Sequence, residues 1–188
     1  MSVEELIRDE EAMDIGMRLF GNNCAMCHGS DGRGGVGFPN LTDSEWQWGE
    51  GYDNVLTAIN NGRQAAMPPW ADALGEDGVK EVTEYVVQMS GREAEEALAG
   101  AGEAKFGMFC AACHMPDGTG NPALGAPDLT NDIWLYGGDR ETIMEGLHLG
   151  RNGAMPAFGE QLSEERRRLL AAYVLGLDYA AALIEGRE

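Results

Sequence analysis

Apolar positions fall into six helical stripes separated by polar, glycine-rich stretches. The first runs over Asp9–Phe20, with apolar residues at helical spacing. A second covers Tyr52–Asn60, and a third carries Val79, Val82, Tyr85, Val86 and Met89. Arg92–Phe109 forms a fourth, and Arg140–Leu149 a fifth with Asp139 as a candidate N-cap. The sixth carries Leu169, Leu170, Tyr173, Val174 and Leu177, with Ser163 as its candidate N-cap. No convincing period-two alternation marks a strand, so the pattern predicts an all-α chain. The stretches GSDGRGGVGFP and MPDGTGNPALGAP hold too many breakers for regular structure and read as loops.

The stripes are two copies of one unit. At an offset of 86, Gly16 matches Gly102, Phe20 matches Phe106, His28 matches His114, and Asp31-Gly32 matches Asp117-Gly118. A two-residue insertion then raises the offset to 88. Pro39 now matches Pro127, Trp46 matches Trp134, Gly62-Arg63 matches Gly150-Arg151, and Met67-Pro68 matches Met155-Pro156. The boundary falls near Ser90-Gly91, which predicts one domain over 1–90 and a second over 91–183. Each would be small enough that burial alone leaves it marginal, and a large apolar cofactor in each core would relieve this.

All four cysteines lie in the repeated motifs Cys24-Ala25-Met26-Cys27-His28 and Cys110-Ala111-Ala112-Cys113-His114. C-x-x-C-H is the attachment signature of c-type haem. Two thiols at this spacing can add to the two vinyl groups of one porphyrin, and the next histidine reaches the iron. A zinc site, a thioredoxin-like pair and two disulfides are the competing readings. Zinc knuckles would be 83 positions apart, no βαβ pattern is present, and none of the three explains the paired histidines.

A thioether opposite the histidine favours ferrous iron and raises the potential. Among the 10 methionines, Met67 lies 39 positions after His28 and Met155 lies 41 after His114. Both directly precede a proline that fixes the local backbone. His28 with Met67 and His114 with Met155 are therefore the expected axial pairs. Met26 and Met115 adjoin the attachment motifs and do not easily reach the opposite face. His148 aligns with Asn60 and reads as a helix residue near a haem edge. Arg63 and Arg151 are candidate partners of haem propionates, and Trp46 and Trp134 are candidate haem contacts.

The net charge of −19 argues against nucleic acid and anionic membrane surfaces. It fits either cationic partners met by salt-sensitive encounter or a surface adapted to salt or alkali. No apolar run approaches the ~20 residues of a membrane span. The acidic opening MSVEELIRDEEAMD is not a signal peptide, although covalent haem attachment normally takes place outside the bacterial cytoplasm. The expectation is a missing leader or anchor. Ile184-Glu185-Gly186-Arg187 resembles a vector-derived protease site, so 184–188 are set aside as a tail.

Each half resembles the class I cytochrome c fold, in which a Gly/Phe pair on the first helix meets an aromatic residue on the last. The matching residues are Gly16, Phe20 and Tyr85 in one half and Gly102, Phe106 and Tyr173 in the other. The blocks GFPNLTDSEWQWG, NNGRQAAMPPWADALGEDGVKEV, GAPDLTNDIWLYGG and GRNGAMPAFGEQLS make roughly Asp14 to Leu177 similar to the diheme subunit of cbb3-type cytochrome c oxidases. That resemblance implies two class I domains, each wrapped around one covalent haem c. Its axial ligands would be His28, Met67, His114 and Met155. It also implies a periplasmic, membrane-anchored electron carrier with no reaction of its own. Such a carrier would relay single electrons from a soluble donor cytochrome toward a haem-copper catalytic subunit, beside a second cytochrome c subunit. A freestanding periplasmic diheme shuttle, a diheme peroxidase and a haem-based gas sensor are the alternatives.

Overall fold

The structure, a computed structural model, describes residues 1–185, with side chains through 177. Of the residues set aside as a tail, Ile184 and Glu185 end the last helix, and 186–188 lie outside the described residues. In chain order the elements are α1 (Val3–Arg8), α2 (Glu10–Asn23), α3 (Ala25–His28), α4 (Tyr52–Asn61), β1 (Arg63–Met67), α5 (Ala71–Met89), α6 (Glu96–Phe109), α7 (Ala111–His114), α8 (Arg140–Leu149), β2 (Arg151–Met155) and α9 (Glu164–Glu185).

Local chemistry sets most boundaries. Ser2 and Glu5 form a reciprocal capping box on α1. Asp9 caps α2 by accepting from Ala12 N at 2.8 Å, and Asp139 caps α8 by accepting from Thr142 N at 2.9 Å. Helices α4 and α8 both stop at glycines with positive φ, Gly62 at 69° and Gly150 at 73°. Gly75 breaks α5 near its start, with φ 67° and ψ 167°. The all-α expectation needs one correction. β1 and β2 form a two-stranded sheet. Their sequences, RQAAM and RNGAM, lack alternating large apolar residues, so backbone pairing defines the strands and hydropathy does not.

The chain forms two compact units that cut across the sequence repeat. One comprises Met1–Glu45, Glu50–Arg63 and Ala154–Glu188, and the other Trp46–Gly49 and Gln64–Gly153. The chain passes from one unit to the other within β1 and again within β2.

In the first unit α9 packs on α2, α4 and α1. Phe20, 1% exposed, lies 5.5 Å from Tyr173 at a tilt of 49°. Gly16 makes room for this crossing, since a Cβ there would sit 2.6 Å from Tyr173 Cβ. Arg167 Nη1 also donates to Asn60 Oδ1 at 2.5 Å, fixing α9 to α4.

In the second unit α5 packs along α6 and α8. The core joins Leu74, Val79, Val82, Val86, Phe106 and Leu147. Phe106 lies 5.3 Å from Tyr85 at 59°. Gly102 closes on the Glu81 carbonyl and on Tyr85 Cβ, leaving no room for a side chain. The buried Glu84 carboxylate accepts from Arg140 Nη2 at 3.0 Å and Glu95 N at 2.8 Å.

The expected Gly16/Phe20/Tyr85 and Gly102/Phe106/Tyr173 sets are therefore exchanged. Gly16 and Phe20 meet Tyr173, while Gly102 and Phe106 meet Tyr85. The two last helices carry the same apolar stripe, so their sequences fit either first helix equally well. The short Ser90–Glu95 connection folds α5 back on α6, the next helix in the chain.

Gly102→Val is expected to cost about 1–3 kcal/mol by forcing α5 and α6 apart, read as a fall in unfolding midpoint. The Glu84 carboxyl is held below its ordinary 4.5, chiefly by the hydrogen bond from Arg140. A depressed folded value adds stability above the unfolded value and loses it as pH falls through the lowered one. Arg140→Gln is expected to lower stability near neutral pH by removing the partner of the buried Glu84 carboxylate. Urea unfolding should show this deficit shrinking as pH drops below 4.5 and Glu84 protonates.

Candidate functional site: two matched Cys-Cys-His turns

Each C-x-x-C-H motif is one helical turn appended to a long helix. Cys24 N bonds Phe20 O at 2.8 Å and His28 N bonds Cys24 O at 3.0 Å. Cys110 N bonds Phe106 O at 2.8 Å and His114 N bonds Cys110 O at 3.0 Å. Helical spacing puts the two cysteines of each motif on one face, with the histidine at the end of the turn. All four thiols are free, Cys27 and Cys113 exposed and Cys24 and Cys110 half-buried. Burial, with a further push from the neighbouring thiol, raises Cys24 and Cys110 to about 11.

The histidines are oriented by the loops behind them. His28 Nδ1 lies 3.0 Å from Pro39 O, and His114 Nδ1 lies 3.0 Å from Pro127 O. A carbonyl only accepts, so Nδ1 carries the proton and Nε2 keeps its lone pair for a metal. The turns after these prolines hold the carbonyls in place. Asn40 Oδ1 accepts from Thr42 N at 2.9 Å, and Asp128 Oδ1 from Thr130 N at 2.7 Å. Leu41 N and Leu129 N then bond Gly32 O and Gly118 O at 2.7 and 2.8 Å. Burial lowers the His114 pKa, against the opposing pull of the Pro127 carbonyl.

Met67 ends β1 and Met155 ends β2, both half-buried. The loop after each methionine is tied by its backbone. Trp70 N donates to Leu147 O at 2.7 Å, and Phe158 N donates to Ile59 O at 2.9 Å. These ties put Met67 in the unit of His114 and Met155 in the unit of His28. The sequence expectation paired them the other way.

The remaining candidates divide. Arg63 Nη2 donates to Asn54 O at 3.2 Å, and Arg151 Nη2 to Thr142 O at 2.8 Å, which are equivalent positions. Arg151 also lies 4.7 Å over the Tyr136 ring. Trp134 packs against the second unit's core under the Arg92 guanidinium, 5.1 Å away. Trp46 belongs to that same unit, in a segment where Gln47 donates to Gly125 O. Met26 is 97% exposed, and His148 Nε2 lies 3.9 Å from Glu76 on the surface. The roles of Pro39 O and Pro127 O escaped the sequence reading. The matched prolines were the available signal, but a backbone carbonyl leaves no residue type of its own to read.

The donor set fits haem c in each unit: two neighbouring thiols, an imidazole with a free Nε2 and a thioether from a separate loop. Fold and motifs together define a protein of the cytochrome c type. The sequence profile described as "Cytochrome C oxidase, cbb3-type, subunit III" matches residues 11–86 and again 97–174, and the chain belongs to that family. Membership and motifs together assign haem c as its cofactor. The chain is 45% identical over 181 residues to the Cbb3-type cytochrome c oxidase subunit CcoP of Rubrivivax gelatinosus, covering 96% of this chain and 59% of that protein. It is 42% identical to the CcoP subunit of Cereibacter sphaeroides, covering 88% of this chain and 61% of that one. Against the FixP subunit of Bradyrhizobium diazoefficiens the identity is 39%, over 86% and 60%. The chain thus spans about three fifths of the length of these relatives. Among the described residues no helix is long and apolar enough to cross a membrane.

In the haem-free chain, an alkylating reagent is expected to modify Cys27 and Cys113 roughly tenfold or more faster than the half-buried Cys24 and Cys110. Timed mass mapping of the four cysteines checks this order.

Proposed function

We propose that the chain carries two haems c and relays single electrons within a cbb3-type oxidase, toward its haem-copper catalytic subunit. The carrying observation is the repeated His Nδ1 to proline carbonyl pair, each in one unit with a proline-flanked methionine. Cys24 and Cys27 would hold the first haem, with His28 and Met155 as the donors to its iron. Cys110 and Cys113 would hold the second, with His114 and Met67. When bound, each haem supplies the one-electron redox change. The chain's own residues set its conditions. The carbonyl bond on Nδ1 fixes the ring and raises its donor strength, and the thioether favours the reduced state. Trp134 would pack beside the second haem, and Arg63 and Arg151, at matched positions, would pair with the propionates.

This reading makes the chain an electron carrier whose complex performs the oxygen chemistry elsewhere. It has a periplasmic location and a membrane anchor in the longer protein. A second cytochrome c subunit and a soluble donor complete the chain of carriers. The strong acidity suits a donor with a basic docking face, met in salt-sensitive encounters.

The test uses the haem-loaded chain with one attachment motif removed at a time. With Cys24 and Cys27 both replaced by alanine, Met67→Ala should open the remaining haem to carbon monoxide and lower its potential, and Met155→Ala should do neither. With Cys110 and Cys113 replaced, the two methionines should exchange roles. Haem that stays closed to carbon monoxide in every methionine variant would reject the ligand set.

A further inference from the structure

We infer that the methionine loops of the two units are held with different strength, and that Trp70 with Phe109 is the positioning pair that makes Met67 the firmer ligand. The inference rests on the proposed His28/Met155 and His114/Met67 ligation. One backbone bond is common to both units, Trp70 N to Leu147 O and Phe158 N to Ile59 O. The side chains around it are not. In the second unit the Trp70 ring lies 5.8 Å from Phe109 at 51°, and Phe109 directly precedes Cys110. Three residues after Met67, the loop is thus fastened to the turn that carries the attachment cysteines.

Among the described residues, the first unit shows no such fastener. The repeat places Phe158 where Trp70 stands and Asn23 where Phe109 stands. Asn23 turns back on its own helix, donating from Nδ2 to Leu19 O at 2.7 Å. Among the described residues, Phe158 has no aromatic ring against it. The loops also differ in stiffness. Met67 is followed by Pro68-Pro69, whereas Met155 is followed by Pro156-Ala157, which leaves the second loop residue free in φ. Two bonds work in the other direction. Gly159 N donates to Asn60 O at 3.1 Å, and Gln161 Nε2 donates to Ala157 O at 3.2 Å. Gln161 is exposed and its bond exchanges readily with water, and the aromatic pair and the extra proline together outweigh the one remaining bond from Gly159.

An external ligand reaches the iron only when the methionine loop has swung away, so its apparent affinity scales with the open fraction. An aromatic pair of this kind shifts such an equilibrium several-fold to about tenfold. The first haem is therefore the more readily opened of the two.

The experiment is an imidazole titration of the oxidised, haem-loaded chain, followed by NMR. The strongly shifted methionine methyl signals are assigned to Met67 and Met155 by their loss in Met67→Ala and Met155→Ala. The Met155 signal should vanish at about tenfold lower imidazole than the Met67 signal. Trp70→Phe and, separately, Phe109→Asn should bring the Met67 midpoint down toward that of Met155, leaving Met155 unmoved. Pro69→Ala should act in the same direction more weakly. Equal midpoints or the reverse order in the parent chain would overturn the inference. So would a Met67 midpoint that ignores all three variants. Absence of any shifted methionine signal would instead reject the ligation beneath it. Haem content and the Met155 signal report whether each variant has folded, and Trp70→Phe serves alone if Phe109→Asn does not.

Discussion

The close crossing of a first helix on a last helix is the contact on which everything else in each unit rests. It requires a glycine where the two backbones approach and an aromatic pair beside it. Gly16 with Phe20 and Tyr173 supplies this in one unit, and Gly102 with Phe106 and Tyr85 in the other. The phenylalanine of each crossing lies one helical turn before the first attachment cysteine, whose N–H it accepts. Packing of the long helices therefore fixes the position and direction of the Cys-Cys-His turn. A cavity or an overpacked side chain at the crossing displaces the site as well as the core.

The site is completed from the opposite side by loops, and here backbone chemistry replaces side-chain chemistry. A proline carbonyl, held by an Asx turn and a glycine-rich segment, fixes the histidine tautomer in both units. A methionine loop tied by backbone bonds to α4 or α8 carries the proposed second ligand. None of these parts is costly alone. Together they orient the imidazole and bring a methionine loop into the same unit, and a cofactor that cycles between two charge states gains from surroundings that do not rearrange. The unequal fastening of the two loops shows that a duplicated scaffold need not hold equivalent sites.

Much of this was legible in the chain itself. The spacing of apolar residues located six long helices, and Asp139 identified a cap the structure confirms. The duplicated attachment motifs marked the chemistry, because that chemistry constrains residue type, and the proline-flanked methionines stood out as candidate donors. The two short strands were not legible, since RQAAM and RNGAM present no apolar alternation. The proline carbonyls were not legible either, as every residue has one.

What the sequence determined by itself was the inventory: two copies of one helical unit, with their attachment motifs and their candidate donors. Tertiary structure alone decided which copy of each part goes with which. Two last helices with the same apolar stripe fit two first helices equally well, so periodicity cannot choose between them. The choice falls to the connections, and the short link after α5 folds that helix onto α6. β1 and β2 then carry the chain between the units, and each methionine travels with its strand into the unit of the other repeat's histidine.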